Sequence, residues 1–376
     1  MKIAATGLTG FLGFHFKAYL RAFHGNLFSN LVEILKSDFS NPKLLAQKLA
    51  GVDVLVHLAG QNRGLEAEVV GVNEFLADAI SKSILGNGKS LKVVFSSSSH
   101  VHKNSPYGNS KIRATEILRS ACRAVDGECV SLVFPNIFGE FARRDYNSAV
   151  ATFCDNFWVG SESMIVNDSE YELLHAQDAA KQICDHAFKH NPGGFSQLEI
   201  AGTITRASEV LETIQELGAL YKSGLIPNLS SRFHRDLFNT LRSYIPNDSK
   251  KVAYIKHTDN RGWLFESVKS KNEGQTFVSL TYPNITRGNH FHTHKVERFS
   301  VLQGEARIQM RKLFSNEVHE IFVSGECPVY IDMPTFYTHN ITNVGQTNLL
   351  TQFWSNEIFD PNNSDTFGEI VNAKEA

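Results

Sequence analysis

The chain has 376 residues, 42% hydrophobic and 20% charged, with a formal net charge of −2 at pH 7. That length calls for two domains rather than one core, and the charge supplies no basic surplus for nucleic acid or an anionic membrane. No apolar run is long enough to span a bilayer. Five cysteines (Cys122, Cys129, Cys154, Cys184 and Cys327) are odd in number and scattered, which fits buried thiols in a reducing cytoplasm better than a disulfide framework. The first residues are already strand-like and lack a basic leader and a cleavage site, so no secretory signal is expected.

The chain opens with MKIAATGLTGFLG, an apolar strand running into Gly7, Gly10 and Gly13. Such a run ends a strand, lets the backbone approach a ligand and opens a helix whose N-terminus can hold a pyrophosphate. The spacing is GxxGxxG, not GxGxxG, so by itself it also fits a glycine-rich turn of any α/β protein. FHFKAYLRAF then has helical periodicity, and residues 31–35 read as the second strand. In a nucleotide fold the residue just past that strand meets the adenosine ribose. Lys36 there suits a 2′-phosphate and hence NADPH, while Asp38 pulls toward NAD. Residues 44–49 read as helix, 52–59 as a parallel strand covered on both faces and ended by Gly60, 69–85 as a long helix, and 91–95 as a strand that empties into four serines at 96–99. Strands alternating with helices make an α/β Rossmann-type, doubly wound parallel sheet with right-handed crossovers. Ligands of such sheets sit beyond the C-terminal strand ends, where the glycines and the serines both fall.

Tyr107 and Lys111 follow, behind Pro106, on a segment of helical periodicity. A spacing of four puts them on one helix face. A phenol, with an ordinary pKa of about 10, exchanges protons poorly near pH 7; a neighbouring ammonium lowers that value. A serine at the preceding strand end can orient a carbonyl or an alcohol. Together these groups move a proton alongside a hydride. A lone YxxxK is common on surface helices, so the catalytic reading rests on its order after the glycine run and the strand-end serine.

TGLTGFLG, HLAG at 57–60, FSSSS at 95–99 and YGNSK at 107–111 together resemble the extended short-chain dehydrogenase/reductases of the sugar-nucleotide branch. The resemblance implies that Gly7, Gly10 and Gly13, with Phe11 and Leu12, cradle the cofactor pyrophosphate, and that Leu58, Ala59 and Gly60 border the cofactor. Tyr107 would be the acid/base, Lys111 its partner on the nicotinamide ribose, and Ser98 the third member, with Ser97 as a close competitor. Two departures matter. Only eight residues separate Ser98 from Tyr107, fewer than is usual in the family, which would open the substrate cleft there. Ser99 and His100 replace the Asp-Glu pair of 4,6-dehydratases, which argues for reduction or epimerisation.

Residues 130–133 read as a short strand. The following PNIFGEFARRDYNSAVATFC resembles the family's segment where the sugar nucleotide meets the chain. Asn136, Arg143, Arg144 and Asn147 are the polar groups expected on a diphosphate or sugar, since arginine forks match phosphate oxygens. A solvated loop is the plain alternative, and Arg143 and Arg144 are not distinguished. His175, counted with the substrate contacts, and Asp178 resemble a strand-to-helix junction of the same family; Asp178 also fits a helix cap.

The character of the chain changes at PNDSK, residues 246–250. The boundary is placed there, giving a NAD(P)-binding domain, 1–246, and a metal-binding domain, 247–376. Short strands with glycine and proline turns indicate an all-β barrel or sandwich. His290 and His292 lie two apart on a strand and share a face. Glu297 can return beside them, and His339 lies on another strand. Three imidazoles and a carboxylate suit Zn, Fe, Ni or Mn. His294 offers a competing 292/294 doublet, and any one of these histidines also fits a polar surface.

His290-x-His292 with Glu297 and Gly304 resembles the first cupin motif, and Pro334, His339 and Asn343 the second, which implies a jelly-roll barrel. Phe336 stands where the second motif has a glycine, and a glycine ahead of the first histidines is also missing. Neither position is a ligand, but the turn would have to be rebuilt. DNRG at 259–262 and TRGNH at 286–290 resemble the sugar-nucleotide 3,5-epimerase branch of the cupins. The fusion resembles, over nearly the whole chain, the bifunctional capsular-polysaccharide enzymes; PNIFG, YNSAVATFC, TRGNH and NEIFDPNNSDTF carry the most specific part. That resemblance implies a UDP-linked 4-keto-6-deoxy-N-acetylhexosamine as substrate. The cupin would invert C3 and the front domain would reduce the C4 ketone with NADPH. The product would be UDP-2-acetamido-2,6-dideoxy-L-talose, on the way to UDP-N-acetyl-L-fucosamine. A divalent metal, zinc as first choice, at His290, His292, Glu297 and His339 and a homodimer complete the expectation, with Tyr337 or His294 as candidates to move the C3 proton. Three other readings stay open: an NAD-retaining UDP-sugar 4-epimerase with a ligand-binding cupin, a different sugar, and a non-enzymatic sugar-nucleotide sensor.

Overall fold

The computed structural model describes residues 1–190, 194–254, 257–259, 262–264, 268–270, 274–357, 360 and 362–372. The chain packs as two units, residues 1–149 with 166–207, and residues 150–165 with 208–376.

The strands of the first unit are, in chain order, β1 (Ile3–Thr6), β2 (Val32–Ile34), β3 (Val54–His57), β4 (Lys92–Ser98), β5 (Glu128–Phe134), β6 (Asn136–Phe138), β7 (Glu170–His175), β8 (Phe195–Glu199) and β9 (Thr203–Arg206). Six of them form a parallel sheet in the order β2-β1-β3-β4-β5-β8, and β6-β7-β9 form a small second sheet. Alternate side chains of the parallel strands enter opposite layers. Ala4, Leu55, Val93 and Phe95 pack against helices α2 (Pro42–Leu49), α3 (Glu66–Asn87) and α4 (Pro106–Ala124) through Leu45, Ile80 and Leu118. Ile3, Ala5, Val54 and Val56 pack on the other side with Phe16, Leu20 and Ile183, from α1 (Phe11–Phe23) and α6 (Ala176–Phe188). In chain order α5 (Ala149–Val159) falls between α4 and α6. Burying each Val, Leu, Ile or Phe of this kind contributes about 1.5–3 kcal/mol, which is why near-continuous apolar runs such as Val54–His57 become central strands. Strand β4 reaches further than its apolar run, because residues 96–98 pair in register with Leu132, Val133 and Phe134 of β5. β1 lies between β2 and β3, so the strand order reverses at the C-terminal ends of β1 and β3, where such sheets bind ligands.

In the second unit β10 (Lys251–Ala253), β11 (Gln275–Thr281), β12 (Thr286–Phe291), β13 (Glu297–Gln303), β14 (Glu305–Lys312), β15 (Val318–Ser324), β16 (Val329–Met333), β17 (Tyr337–Asn343), β18 (Leu349–Ser355) and β19 (Phe367–Gly368) build two five-stranded sheets. Their orders are β10-β16-β13-β18-β11 and β15-β14-β17-β12-β19, with antiparallel neighbours. Phe299, Ile331 and Phe353 of the first and Ile308, Met310 and Ile341 of the second share one apolar cluster. Helices α7 (Ala207–Lys222) and α8 (Arg232–Arg242), with most of α5, pack with these sheets.

The change of element type at residue 246 and the division by packing do not coincide. Arg242 donates to the Met333 carbonyl at 2.9 Å, the Tyr221 hydroxyl bonds Asp332, and Trp158 Nε1 donates to the Leu241 carbonyl at 2.8 Å. These buried polar bonds tie helices from before residue 246 to β16 and to each other. Residues 260 and 261 of DNRG, and 358, 359 and 361 of NEIFDPNNSDTF, lie outside the described residues. All five cysteines are free, and Cys122, Cys129, Cys154 and Cys184 are buried. Among the described residues no helix is long and apolar enough to cross a membrane.

Candidate active site and candidate metal centre

A cavity of about 670 Å³ opens at the C-terminal ends of the parallel strands. Gly7, Gly10, Gly13, Phe11 and Leu12 form one wall. Gly7 has φ +72°, and a Cβ there would stand 2.6 Å from the Ala59 nitrogen; a Cβ on Gly13 would stand 2.1 Å from the Gly7 carbonyl oxygen. Only hydrogen fits at either place. Thr6 Oγ1 accepts from the backbone N–H of Leu58 (3.2 Å) and Ala59 (3.1 Å) and donates to His57 Nδ1 at 2.7 Å, which joins the ends of β1 and β3. Burial, with the Lys111 ammonium, presses His57 down to about 3, so its ring stays neutral and accepts that proton. Leu58 and Gly60 line the cavity beyond it.

Ser105 caps α4 by accepting from the Gly108 N–H at 3.1 Å, and Pro106 occupies its first turn. Tyr107 and Lys111 therefore rise one turn apart into the cavity. The short link from Ser98 is possible because residue 108 is glycine: a Cβ there would stand 2.1 Å from the His100 carbonyl oxygen. Ser98, not Ser97, shares a side-chain hydrogen bond with Tyr107; the Ser97 hydroxyl is buried without a partner. Lys111 Nζ donates to the Ser96 carbonyl at 2.9 Å and stands 5.9 Å from the Tyr107 ring centroid. Burial pushes the Tyr107 phenol up to about 12, against the hydrogen bond from Ser98, and pushes Lys111 down to about 8. The lysine was expected to lower the phenol; in the folded chain burial raises it, and the group that opposes the rise is Ser98, not Lys111. Tyr107 is thus a neutral phenol, a proton donor.

Asn136, Arg143 and Asn147 also line the cavity. Arg144 instead pairs with Asp145 at 2.9 Å on the surface. His175 is buried, 3.1 Å from Glu140 Oε2, and caps α6 by accepting from the Gln177 N–H; it is not part of the cavity wall. Asp178 lies in the first turn of α6. Lys36 is exposed and off the cavity lining. The Asp38 carboxylate is buried and engaged by the Leu35 N–H (2.7 Å) and Lys48 Nζ (2.6 Å). Asn62, His100 and Tyr146 also line the cavity and were not anticipated. Tyr146 stands inside the quoted YNSAVATFC, the one available signal.

In the second unit His290, His292, Glu297 and His339 bring one ligand atom each to within 4.8 Å of one another. His290 pairs with His339 across β12 and β17, and Glu297 enters from β13 of the other sheet. TRGNH makes this convergence possible through a bulge between Gly288 (φ +105°) and His290. Asn289 is held at φ +59° by the Asn340 Nδ2 and Val371 N–H groups that it accepts. His292 Nδ1 donates to the Asp365 carbonyl at 2.6 Å and His339 Nδ1 to the Tyr337 carbonyl at 3.2 Å. Both Nε2 atoms are then bare lone pairs, buried without a hydrogen bond, 3.0 and 3.4 Å from Glu297 Oε2. Burial alone would raise the Glu297 pKa; positive charge on the imidazoles of His292 and His339 holds it well below the usual carboxylate range, and with both rings neutral a bound cation would supply that charge instead. Burial and the other imidazoles press His290 down to about 3. Converging lone pairs around one anionic oxygen fit a divalent cation. His294 lies apart, 3.2 Å from Asp365 Oδ2 and 3.5 Å from Glu357 Oε1, so the 292/294 doublet is not built.

Asp365 was missed in the sequence. Its buried carboxylate accepts the backbone N–H groups of Thr293, His294 and Lys295 at 2.7 to 3.2 Å, which fixes the loop carrying His292. Phe336 keeps the turn of the absent glycine: it is fully buried at φ +61°, donates its N–H to the His292 carbonyl and accepts from the Leu313 N–H, both at 2.9 Å.

Residues 3–197 match the NAD dependent epimerase/dehydratase family, and residues 257–367 match the Polysaccharide biosynthesis C-terminal domain. The chain belongs to the NAD dependent epimerase/dehydratase family. The UDP-2-acetamido-2,6-beta-L-arabino-hexul-4-ose reductase of Pseudomonas aeruginosa is 31% identical over 378 residues, 98% of each chain. The capsular polysaccharide assembling protein CapF from Staphylococcus aureus has a solved structure with 29% identity and a TM-score of 0.58, over 99% of this chain and 100% of that one. The UDP-N-acetylglucosamine 4-epimerase from Methanobrevibacter ruminantium M1, 21% identical with a TM-score of 0.53 over 65% of this chain and 98% of its own, shares the fold. Along its whole length the chain is a CapF-like enzyme of the epimerase/reductase type that joins the family domain to the C-terminal β region.

Proposed function

We propose that this enzyme acts on a UDP-2-acetamido-2,6-dideoxy-4-hexulose, inverting C3 through residues 247–376 and reducing the C4 ketone through residues 1–246, in the synthesis of a surface polysaccharide. What carries the reading is a glycine-walled cavity that brings Ser98, Tyr107 and Lys111 together in a chain matching the Pseudomonas aeruginosa reductase over 98% of both lengths.

In the first unit the glycine turn, with Leu58 to Gly60, would hold NADPH, which supplies a hydride for C4 when bound. The engagement of Asp38 by Lys48 leaves Lys36 as the group for a 2′-phosphate, which supports NADPH over NADH. Tyr107 gives its phenolic proton to the C4 oxygen, and Ser98 orients that oxygen. Lys111 offers positive charge to the phenolate left behind. Asn136, Arg143 and Asn147 are assigned to the diphosphate and sugar, whereas Arg144 and His175 are occupied elsewhere. In the second unit, read as a cupin-type jelly roll, His290, His292, Glu297 and His339 would hold a divalent ion, zinc first, which supplies positive charge beside an enolising carbonyl. The C4 ketone makes the C3 proton removable, because the charge spreads onto oxygen. A homodimer, by analogy with both fold types, and a reducing cytoplasm, suited to the buried free thiols, belong to the same reading.

The test follows the 4-keto-6-deoxy UDP-N-acetylhexosamine by NMR in D₂O, with and without NADPH. Deuterium is expected at C3 without NADPH and an alcohol at C4 only with it. Consumption of NADPH with C3 still protonated would remove the epimerase and leave a reductase.

A further inference from the structure

Two arginines beside Tyr146, one of them lining the cavity, carry a charge that no carboxylate among the described residues neutralises. Arg144 is paired with Asp145. Arg63 and Arg143 have no carboxylate within ion-pair distance among the described residues, and their guanidinium carbons stand 5.6 and 5.5 Å from the centroid of the same ring, Tyr146. Like charges at one ring repel each other, and an anion arriving there relieves the repulsion. Arg63 makes a second contact: its Nη1 donates to the Asp145 carbonyl at 2.9 Å, across 82 residues of chain. Asp145 has φ +53° and Phe141 φ +67°. Non-glycine residues in this region are strained and persist where their surroundings hold them; Arg63 is one of the groups that hold Asp145, at its carbonyl.

Arg63 itself is not part of the cavity lining, but its neighbour Asn62 is, and so are Arg143, Tyr146 and Asn147 on the segment that it grips. It therefore fastens the loop after β3 to the loop after β6. We propose that Arg63 is a positioning residue that sets Arg143 and Tyr146 to receive a nucleoside diphosphate. The chemistry is shared by a UDP-sugar and a dinucleotide. The glycine turn at the N-terminus of α1 already suits the dinucleotide pyrophosphate, so Arg143 and Tyr146 are assigned to the UDP moiety. The inference rests on the reading that the cavity takes a sugar nucleotide.

Calorimetric titration of the full-length protein with UDP, uridine and NADPH tests it, in the parent and in Arg63→Gln, Arg63→Lys and Arg143→Gln. Arg63→Gln is expected to weaken UDP about tenfold, the scale of one charge-assisted contact, with uridine and NADPH unchanged. Arg63→Lys should fail to restore UDP binding, since lysine lacks the planar fork that reaches both a carbonyl and a ring. The Arg63→Gln/Arg143→Gln pair should lose less than the product of the single losses. In turnover, Arg63→Gln should raise KM for the sugar nucleotide and spare kcat. Unchanged UDP affinity in Arg63→Gln, an equal loss for uridine, or a loss confined to NADPH would overturn the assignment. A parent that binds NADPH but not UDP would instead overturn the sugar-nucleotide reading beneath it.

Discussion

Tyr107 and Lys111 show how burial reassigns familiar groups. The phenol, at about 12, stays protonated through any working pH, which suits delivery of a proton to a ketone. Tyr107→Phe is expected to lower ketone reduction by about 10²–10⁴-fold, the usual worth of a positioned acid, while deuterium exchange at C3 continues. NADPH oxidation at the parental rate would remove Tyr107 from the reaction. Lys111 is expected to set the pH profile. Its ammonium is lost near pH 8 instead of its ordinary 10.5, so kcat/KM for reduction should be flat from about pH 6 and fall above about pH 8. Lys111→Arg, charged at every such pH, should retain its remaining activity through that range. The same shift bears on stability. The unfolded chain binds this proton more tightly than the folded one, so burial of Lys111 costs stability fully below about pH 8, and the cost fades as pH rises toward 10.5.

Among the elements, two short backbone features of the β region have outsized effects. The bulge at Gly288 aims His290 at its partners, and a Cβ there would lie 2.8 Å from the His339 carbonyl oxygen. Gly288→Ala should therefore lower metal content as His290→Ala does, although it removes no ligand; elemental analysis of the purified proteins decides this, and full metal content in His290→Ala would shift the ligand set. The turn at Phe336 is the converse case, a buried aromatic in a glycine conformation. Phe336→Gly relieves roughly 1–2 kcal/mol of left-handed strain but gives up a buried ring worth about 3–5 kcal/mol. The variant should be less stable by about 1–4 kcal/mol, read as a lower urea midpoint for the β-region transition. A raised midpoint would mean that strain dominates there. The cupin-like pattern, read literally, demanded a rebuilt turn; the chain keeps the turn and fills its inside instead.

For the molecule as a whole, the two sets of chemical groups are built by separate packing units. A chelator that strips the His290, His292, Glu297 and His339 cluster should abolish C3 exchange and leave NADPH affinity, measured by cofactor fluorescence, unchanged. Loss of NADPH binding on chelation would tie the two sites together. The alternation of apolar strands and amphipathic helices by itself determined the parallel sheet and the place of its ligand rim, because periodicity and strand-ending glycines act within a few residues. The HxH doublet likewise announced a metal-type cluster, because side chains two apart in extended backbone share a face, even though β12 ends at Phe291 and His292 stands just beyond it. Sequence could not choose between Ser97 and Ser98, Arg143 and Arg144, Lys36 and Asp38, or His290 and His294. Three of these groups are already engaged in the fold: Asp38 by Lys48, Arg144 by Asp145, and His294 by Asp365 and Glu357. Such partners can lie ten or seventy residues away, and a buried polar group must be satisfied by whatever the fold brings beside it, so only the tertiary structure decided which of these candidates are already engaged.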